Sequence, residues 1–410
     1  MRSPVRSILL VPLIALAALA APARAHAETS NPGAHYLFVW AGDKDKKGND
    51  FLAVIDADAA SPSYGHLLTT VATDQKTEQV HHTEYSMPAS AMLFANDHEA
   101  GRTFIFDLHD ALHPKVAASF QDMDGYMHPH SYVRLPNGHV LATFQHAHHS
   151  GMHGEGKSGG LVEIDDGGKV IRSASSADPA FADALLMPYG LVVLPQIDRV
   201  LSTNSSMHDD DIFSGVTYQV WRLSDLKLLK TAYLDTGANR YGHVSPEEPR
   251  LGPDGAVYIQ TLGCGIERIT AIATMEPKAK LVHTFAGNWC GVPTIVGHFL
   301  VQSVPAVHGF VVLDISDGAR PREVSRLVMS DSYAPHWTAW DPGTQRLVVT
   351  SGNTPDDRLY LLKLDPSKGT LTIDDAFRDV DTKVGFNFAE REWPHGWKGV
   401  GKPHGAVFSR

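Results

Sequence analysis

The sequence predicts an all-β fold, a seven-bladed β-propeller closed by pairing the C-terminal strand with the N-terminal blade. Three observations predict it. A short element, Pro-X with a second Pro six residues after X, recurs along the 410 residues. Each copy leads into short apolar runs bounded by turn residues, and no long segment of 3.6-residue period competes with them. The first unit lacks one run and the last holds only one, so the two ends complete each other. A tandem of β-sandwiches is the alternative, and it does not account for the seven-fold phase.

Residues 1–25 stand outside the fold. Arg2 and Arg6 precede an apolar stretch from Ile8 to Ala21, and Ala23-Arg24-Ala25 or Ala25-His26-Ala27 offers a small-residue cleavage site. That pattern is a secretory leader, too short in its apolar part for a membrane span, so a periplasmic or secreted location is expected. The single propeller domain then runs from 36 to 410. Its N-terminal piece has three runs, Tyr36 to Trp40, Phe51 to Asp56 and His66 to Val71. His81-His82 with Pro88 is a variant of the repeat. Pro129-His130 with Pro136, Pro188-Tyr189 with Pro195, Pro246-Glu247 with Pro253 and Pro335-His336 with Pro342 are regular copies. Trp289-Cys290 is a degenerate one, placed by aligning Gly297-His298-Phe299 with Gly138-His139-Val140. Pro403-His404 is the last, cut short by the C-terminus. Units of roughly 45–60 residues with about four strands have the size of a propeller blade, and closing the ring removes free sheet edges.

Composition narrows the function classes. The net charge is −11 and no basic patch stands out, so nucleic acid and anionic membrane are poor partners. Two cysteines, Cys264 and Cys290, allow one bridge and no disulfide framework.

In a propeller the innermost strand of each blade lines the central channel. The repeat therefore places His82, His130, Tyr189, Glu247, Trp289 or Cys290, His336 and His404 in one ring at the axis, with His81 adjacent. Four imidazoles at one phase can hold a metal, although each taken singly is better explained as a hydrogen-bonded core histidine. All-imidazole donors suit Cu, Zn, Fe or Ni and disfavour Ca and Mg. Glu247 and Tyr189 are a further ligand, an orienting group, a proton relay or simple channel lining. Loops on the same face carry His146, His148, His149 and His153, and His208 with Asp209, Asp210 and Asp211. These loops either feed or loosely bind metal, or are plain solvated loops. Cys264 and Cys290 fall in neighbouring blades on that face, as a disulfide or as a thiolate ligand. The segment Gly151 to Ser158 matches a P-loop pattern, and overlapping glycines match the dinucleotide and nucleophile-elbow patterns. Each of those needs a helix directly after the glycines, and a strand, Leu161 to Ile164, follows instead.

His81-His82-Thr83-Glu84-Tyr85, Pro129-His130-Ser131, Pro188-Tyr189 and Pro403-His404-Gly405-Ala406-Val407-Phe408 resemble the selenium-binding protein / methanethiol oxidase family. The resemblance runs from about Tyr36 to Arg410 and implies a seven-bladed propeller. It implies a periplasmic copper enzyme that converts methanethiol, O2 and water to formaldehyde, hydrogen sulfide and hydrogen peroxide. His81, His82, His130 and His404 match the family's histidine positions and are the implied copper ligands. His336 is a fifth candidate, at a place where other members carry an amide side chain. Where the family's double His is commonly followed by a Cys-rich stretch, this chain reads Ser86 to Met92 with no Cys, which argues against selenium binding there. On this reading copper takes a small thiol and O2, and Glu247 or Tyr189 moves protons. A copper-binding or buffering protein without turnover is the alternative. A propeller lactonase ranks last, because it needs an acidic ring holding Ca.

Overall fold

A computed structural model describes residues 35–77, 79–147, 158–235, 243–352 and 358–410. The expected leader, the stretch with His148, His149 and His153, and the glycines from 151 to 157 fall outside those residues. The strands belong to one unit, Gly33–Arg410.

Seven antiparallel meanders of four strands follow one another, each running from an innermost strand outward. The innermost strands are Gly401–Phe408 for blade I, Val80–Thr83 for blade II and Tyr126–Arg134 for blade III. Pro188–Leu194, Pro246–Leu251, Thr294–Val296 and Pro335–Asp341 serve blades IV to VII. Blade I is composite as expected. Gly401–Phe408 pairs with Tyr36–Asp43, with Leu37 opposite Phe408 and Val39 opposite Ala406.

The burial gradient follows from position in the blade. Second and third strands are sandwiched between neighbouring blades and read as continuous apolar runs, such as Phe51–Asp56 and Gly160–Ile164. Outer strands such as Lys115–Phe120 and Arg322–Val328 are largely exposed and more polar. The cores lie between blades. Trp40, Leu52, Val54, Leu93, Phe104 and Phe106 join blades I and II, for example. Gly138 and Gly297 both take the left-handed conformation (φ +87° and +58°) at the turn out of the innermost strand, which is why the degenerate copy keeps its glycine. After Thr370–Ile373 the chain departs from the repeat. Phe386–Asn387 adds a short strand to blade VII, and Arg391–Trp393 pairs with Trp397–Gly399 in a separate hairpin.

A buried carboxyl pair ties blade I to blade II. Thr77 Oγ1 lies 3.0 Å from Asp50 Oδ2 and 3.1 Å from Asp97 Oδ2. Burial, with Asp97 adding to it, pushes the Asp50 carboxyl from 3.8 up to about 8. A pKa raised on folding means that the native state holds a proton the unfolded chain has released. Stability is therefore expected to be fullest below the ordinary carboxylate range and to fall as pH rises from about 4 to about 8, by up to ~1.4 kcal/mol per pH unit for one proton. Urea midpoints measured across this window should decline less steeply in Asp50→Asn. Equal slopes in the two proteins would refute the shared proton.

Candidate metal centre

The axial residues sit in bulges of the innermost strands. Register breaks bracket His81-His82 in blade II, His130-Ser131 in blade III, Tyr189-Gly190 in blade IV and Glu247-Glu248 in blade V. The same break brackets His336-Trp337 in blade VII, and in blade I it leaves His404-Gly405 opposite Trp40. In blades II, III and IV the bulge is pinned by a polar side chain of the second strand. Asn96 Oδ1 accepts from the His82 N–H, Thr143 Oγ1 from Ser131 and Thr203 Oγ1 from Gly190. Several of these side chains also donate to the next blade's axial carbonyl, Thr143 to Tyr189, Thr203 to Glu247, Gln260 to Cys290 and Thr350 to His404. A β-bulge re-aims side chains, and in every blade but VI it turns two residues toward the axis, in two tiers.

This corrects the phase read from sequence. The tier of His130, Tyr189, Glu247, His336 and His404 takes His81 from blade II, not His82. His82 shares the second tier with Ser131, Gly190, Glu248, Trp337 and Gly405. The proline spacing in blade II is offset by one residue relative to the bulge, so counting from Pro88 lands one position late. Blade VI gives no axial side chain. Cys290 is bonded to Cys264, which removes the thiolate option and staples blades V and VI. Trp289 points outward, half exposed, with its ring edge-on to Phe213. Gly291 is required here, because a Cβ would sit 2.4 Å from the His336 carbonyl oxygen.

The histidines converge. The His81 ring stacks on His82 with centroids 4.0 Å apart, and lies 4.2 Å from His404 and 4.8 Å from His130. His336 is 4.7 Å from His404. Two sets of donor atoms fall within 4.8 Å of one another, His81, His82 and His404, and His82, His130 and Glu248. His82 belongs to both. Glu248 was missed in favour of its neighbour Glu247. Its Oε1 is 3.4 Å from His82 Nδ1 and accepts from Ser131 Oγ at 2.9 Å. The only sequence signal was the acidic pair itself.

The chemistry of the donors fits a metal ion. Burial first, and neighbouring imidazoles second, hold His81 and His82 well below the usual histidine range. Burial does the same for His130 and His404, and brings His336 to about 4. All five are therefore neutral at pH 7, the form that ligates. His130 Nδ1 is 3.1 Å from the Tyr189 carbonyl, an acceptor, so Nδ1 carries the hydrogen and Nε2 presents its lone pair. That Nε2 faces His81 Nε2 at 3.0 Å. His82 Nε2 and His336 Nε2 are buried with no hydrogen-bond partner among the described residues. Leaving such atoms unsatisfied costs about 1–3 kcal/mol each, a cost that an ion would offset.

Tyr189 and Glu247 flank this cluster. The Tyr189 ring packs on His130 with centroids 3.6 Å apart, and its hydroxyl pairs with the Glu247 carboxyl. Burial pushes Glu247 up to about 8, so it holds a proton at neutral pH, and Gln260 Nε2 donates to it at 3.0 Å. The second tier is filled by aromatic side chains. Trp337 lies 4.8 Å from His82 and stacks on Tyr85, and the Arg250 guanidinium sits 3.8 Å from the Tyr85 ring centre. Tyr85 and Arg250 also line a pocket of about 230 Å³.

No family model matches the chain. Methanethiol oxidase from Hyphomicrobium sp is 30% identical over 138 residues, 32% of this chain and 31% of that protein, so the match spans about a third of the curated relative's length. A hypothetical selenium-binding protein from Sulfolobus tokodaii superposes with a TM-score of 0.69 at 16% identity, over 91% of this chain and 93% of that one. The periplasmic gluconolactonase of Pseudomonas aeruginosa superposes at 0.60 with 14% identity, over 92% and 99%. At these identities the two structures speak for the fold alone. Among the described residues no helix is long and apolar enough to cross a membrane. One stretch of the sequence is thus similar to methanethiol oxidase, and the propeller fold is shared along nearly the whole chain with a selenium-binding protein.

Proposed function

We propose that the chain is a copper-dependent oxidase of small thiols that acts outside the cytoplasm and turns methanethiol, O2 and water into formaldehyde, hydrogen sulfide and hydrogen peroxide. The observation that carries this reading is the convergence on one axis of five neutral imidazoles, three of them buried and two partly so. His81, His82, His130 and His404 would hold the ion, with Glu248 and His336 at its margin. Copper bound there would supply a soft partner for thiolate sulfur and an electron path to O2. The protein's share is positional. The bulges fix the imidazoles, Tyr189 O sets the His130 tautomer, and the Trp337–Tyr85 stack keeps water from one side. The Tyr189–Glu247 pair, in contact with His130, is placed to carry protons between the cluster and the interior of the channel. The leader-like N-terminus and the Cys264–Cys290 disulfide support an oxidising compartment.

Copper loading of the purified chain followed by methanethiol should yield peroxide and formaldehyde in equal amounts. Tyr189→Phe should keep its copper and lose roughly 100-fold or more in turnover, as removal of a proton-transfer group does. A second reading, copper binding without turnover, is favoured by the missing Cys stretch at Ser86 to Met92 and by further histidines outside the axis. Bound copper with no peroxide from any small thiol would select it. A chain that takes up no copper would rule out both.

A further inference from the structure

We propose that His128, His146 and His208 form a second site for a borderline transition-metal ion at the histidine-bearing mouth of the channel, and that His98 links it to the axial cluster. None of these four is an axial residue. His146 is the last residue but one of the strand Val140–Ala147 and is 3% exposed, whereas His208 lies on an exposed loop of the next blade. Their Nε2 atoms are 3.4 Å apart. That is long for a hydrogen bond between two imidazoles. It is the separation of two ligands on one tetrahedral ion with bonds of about 2.0–2.1 Å. His146 Nδ1 is buried and has no partner among the described residues, so no fixed hydrogen bond holds this ring in place.

His128 approaches His146 edge-on, with centroids 4.9 Å apart. It does so from a left-handed backbone, φ +56°, which a β-strand residue adopts only when something else requires it. Gly101 makes the room, since a Cβ there would meet the His128 ring at 3.1 Å. Asp211 lies within electrostatic reach of His146 and adds a carboxyl group beside the three imidazoles. Inward, the His98 ring is 5.8 Å from His81 and within electrostatic reach of His128, His208 and His146. Imidazoles therefore extend from solvent to the axis, and an ion could exchange one for another without a change of oxidation state or donor type. The link to the axis rests on the axial metal reading; the outer site does not.

Cu2+ added as the chloride to the full-length purified chain, with bound ions counted after equilibrium dialysis, tests this. His208→Ala, a change on an exposed loop, should bind one ion fewer per chain than the wild type and keep the ion that His82→Ala removes. An unchanged ion count and affinity in His208→Ala would overturn the outer site. A single ion in the wild type, lost in His82→Ala but kept in His208→Ala, overturns the outer site and leaves the axial one standing. A single ion with the opposite sensitivity supports the outer site and overturns the axial one. His98→Gln, checked for folding by circular dichroism, should slow loading of the axial site about ten-fold at unchanged final stoichiometry. Loading at the wild-type rate would overturn the relay.

Discussion

Replacing His82 with alanine is expected to weaken copper binding by at least ~100-fold and to reduce thiol oxidation to background. Among the axial histidines it is the one shared by both donor sets, His81 with His404 and His130 with Glu248. Its Nε2 is one of the axial ring nitrogens left buried with no hydrogen-bond partner among the described residues. Its neighbours orient it closely. The ring stacks on His81, and Nδ1 faces the Ser131–Glu248 hydrogen bond. Removing a group that only orients a ligand typically costs 10–100-fold in metal affinity, and removing the ligand itself should cost more. Ser131→Ala supplies the comparison. It leaves every imidazole in place but takes away the hydroxyl between Glu248 and His82, so a loss of about 10–100-fold is expected. Isothermal titration with copper, with circular dichroism to confirm folding, separates the two variants. Wild-type copper affinity in His82→Ala would remove the axial centre from the proposal.

The ordering of those two variants could not have been read from the sequence. The repeat of Pro-X with a later Pro marks where each innermost strand begins, because proline is tolerated at a strand start and in the turn that follows. It therefore revealed seven blades and the composite first blade. The bulge that follows each start is invisible at that level. It depends on Asn96, Thr143 and Thr203, which lie on the second strands and look like ordinary small polar strand residues until their bonds to the bulge N–H groups are seen. Without the bulge, one residue per blade faces the axis; with it, two do. That is why His81 and His82 both reach the centre, why Glu248 was overlooked beside Glu247, and why Trp337 appears beneath the histidines as a plug. Blade VI lost its signal because Gly291 there answers a packing demand of the His336 backbone rather than a chemical one. The excursion after Ile373 was not foreseen because its short strands, Phe386–Asn387 and Arg391–Trp393, carry too few residues for a period to show.

Deleting the C-terminal residues from 401 onward is expected to abolish cooperative folding, although only ten residues of 410 are lost. The segment Gly401–Phe408 is the whole innermost strand of blade I. Ala406, Val407 and Phe408 are buried, and Val407 and Phe408 enter the cores on opposite faces of that blade. The Trp337 indole of blade VII donates to Ala406 O at 2.9 Å, so the strand also closes the ring against its other neighbour. Without it Tyr36–Asp43 becomes an exposed apolar edge, the arrangement most prone to pair with another chain. Phe408→Ala is the milder probe. Loss of a buried phenylalanine costs about 3–5 kcal/mol, so a lower Tm with the transition still cooperative is expected. The deleted chain should instead lose its near-ultraviolet signal and aggregate. What matters is the strand and not its place at the end of the chain. Phe408 lies opposite Leu37, and the Ser409 N–H donates to Tyr36 O. Residues 401–410 moved ahead of residue 35 through a short turn should therefore fold as a hairpin, restore the cooperative transition and return His404 to the axis. A deleted chain that melts like the wild type would show that the ring closes without this strand, and it would leave the position of His404 unexplained.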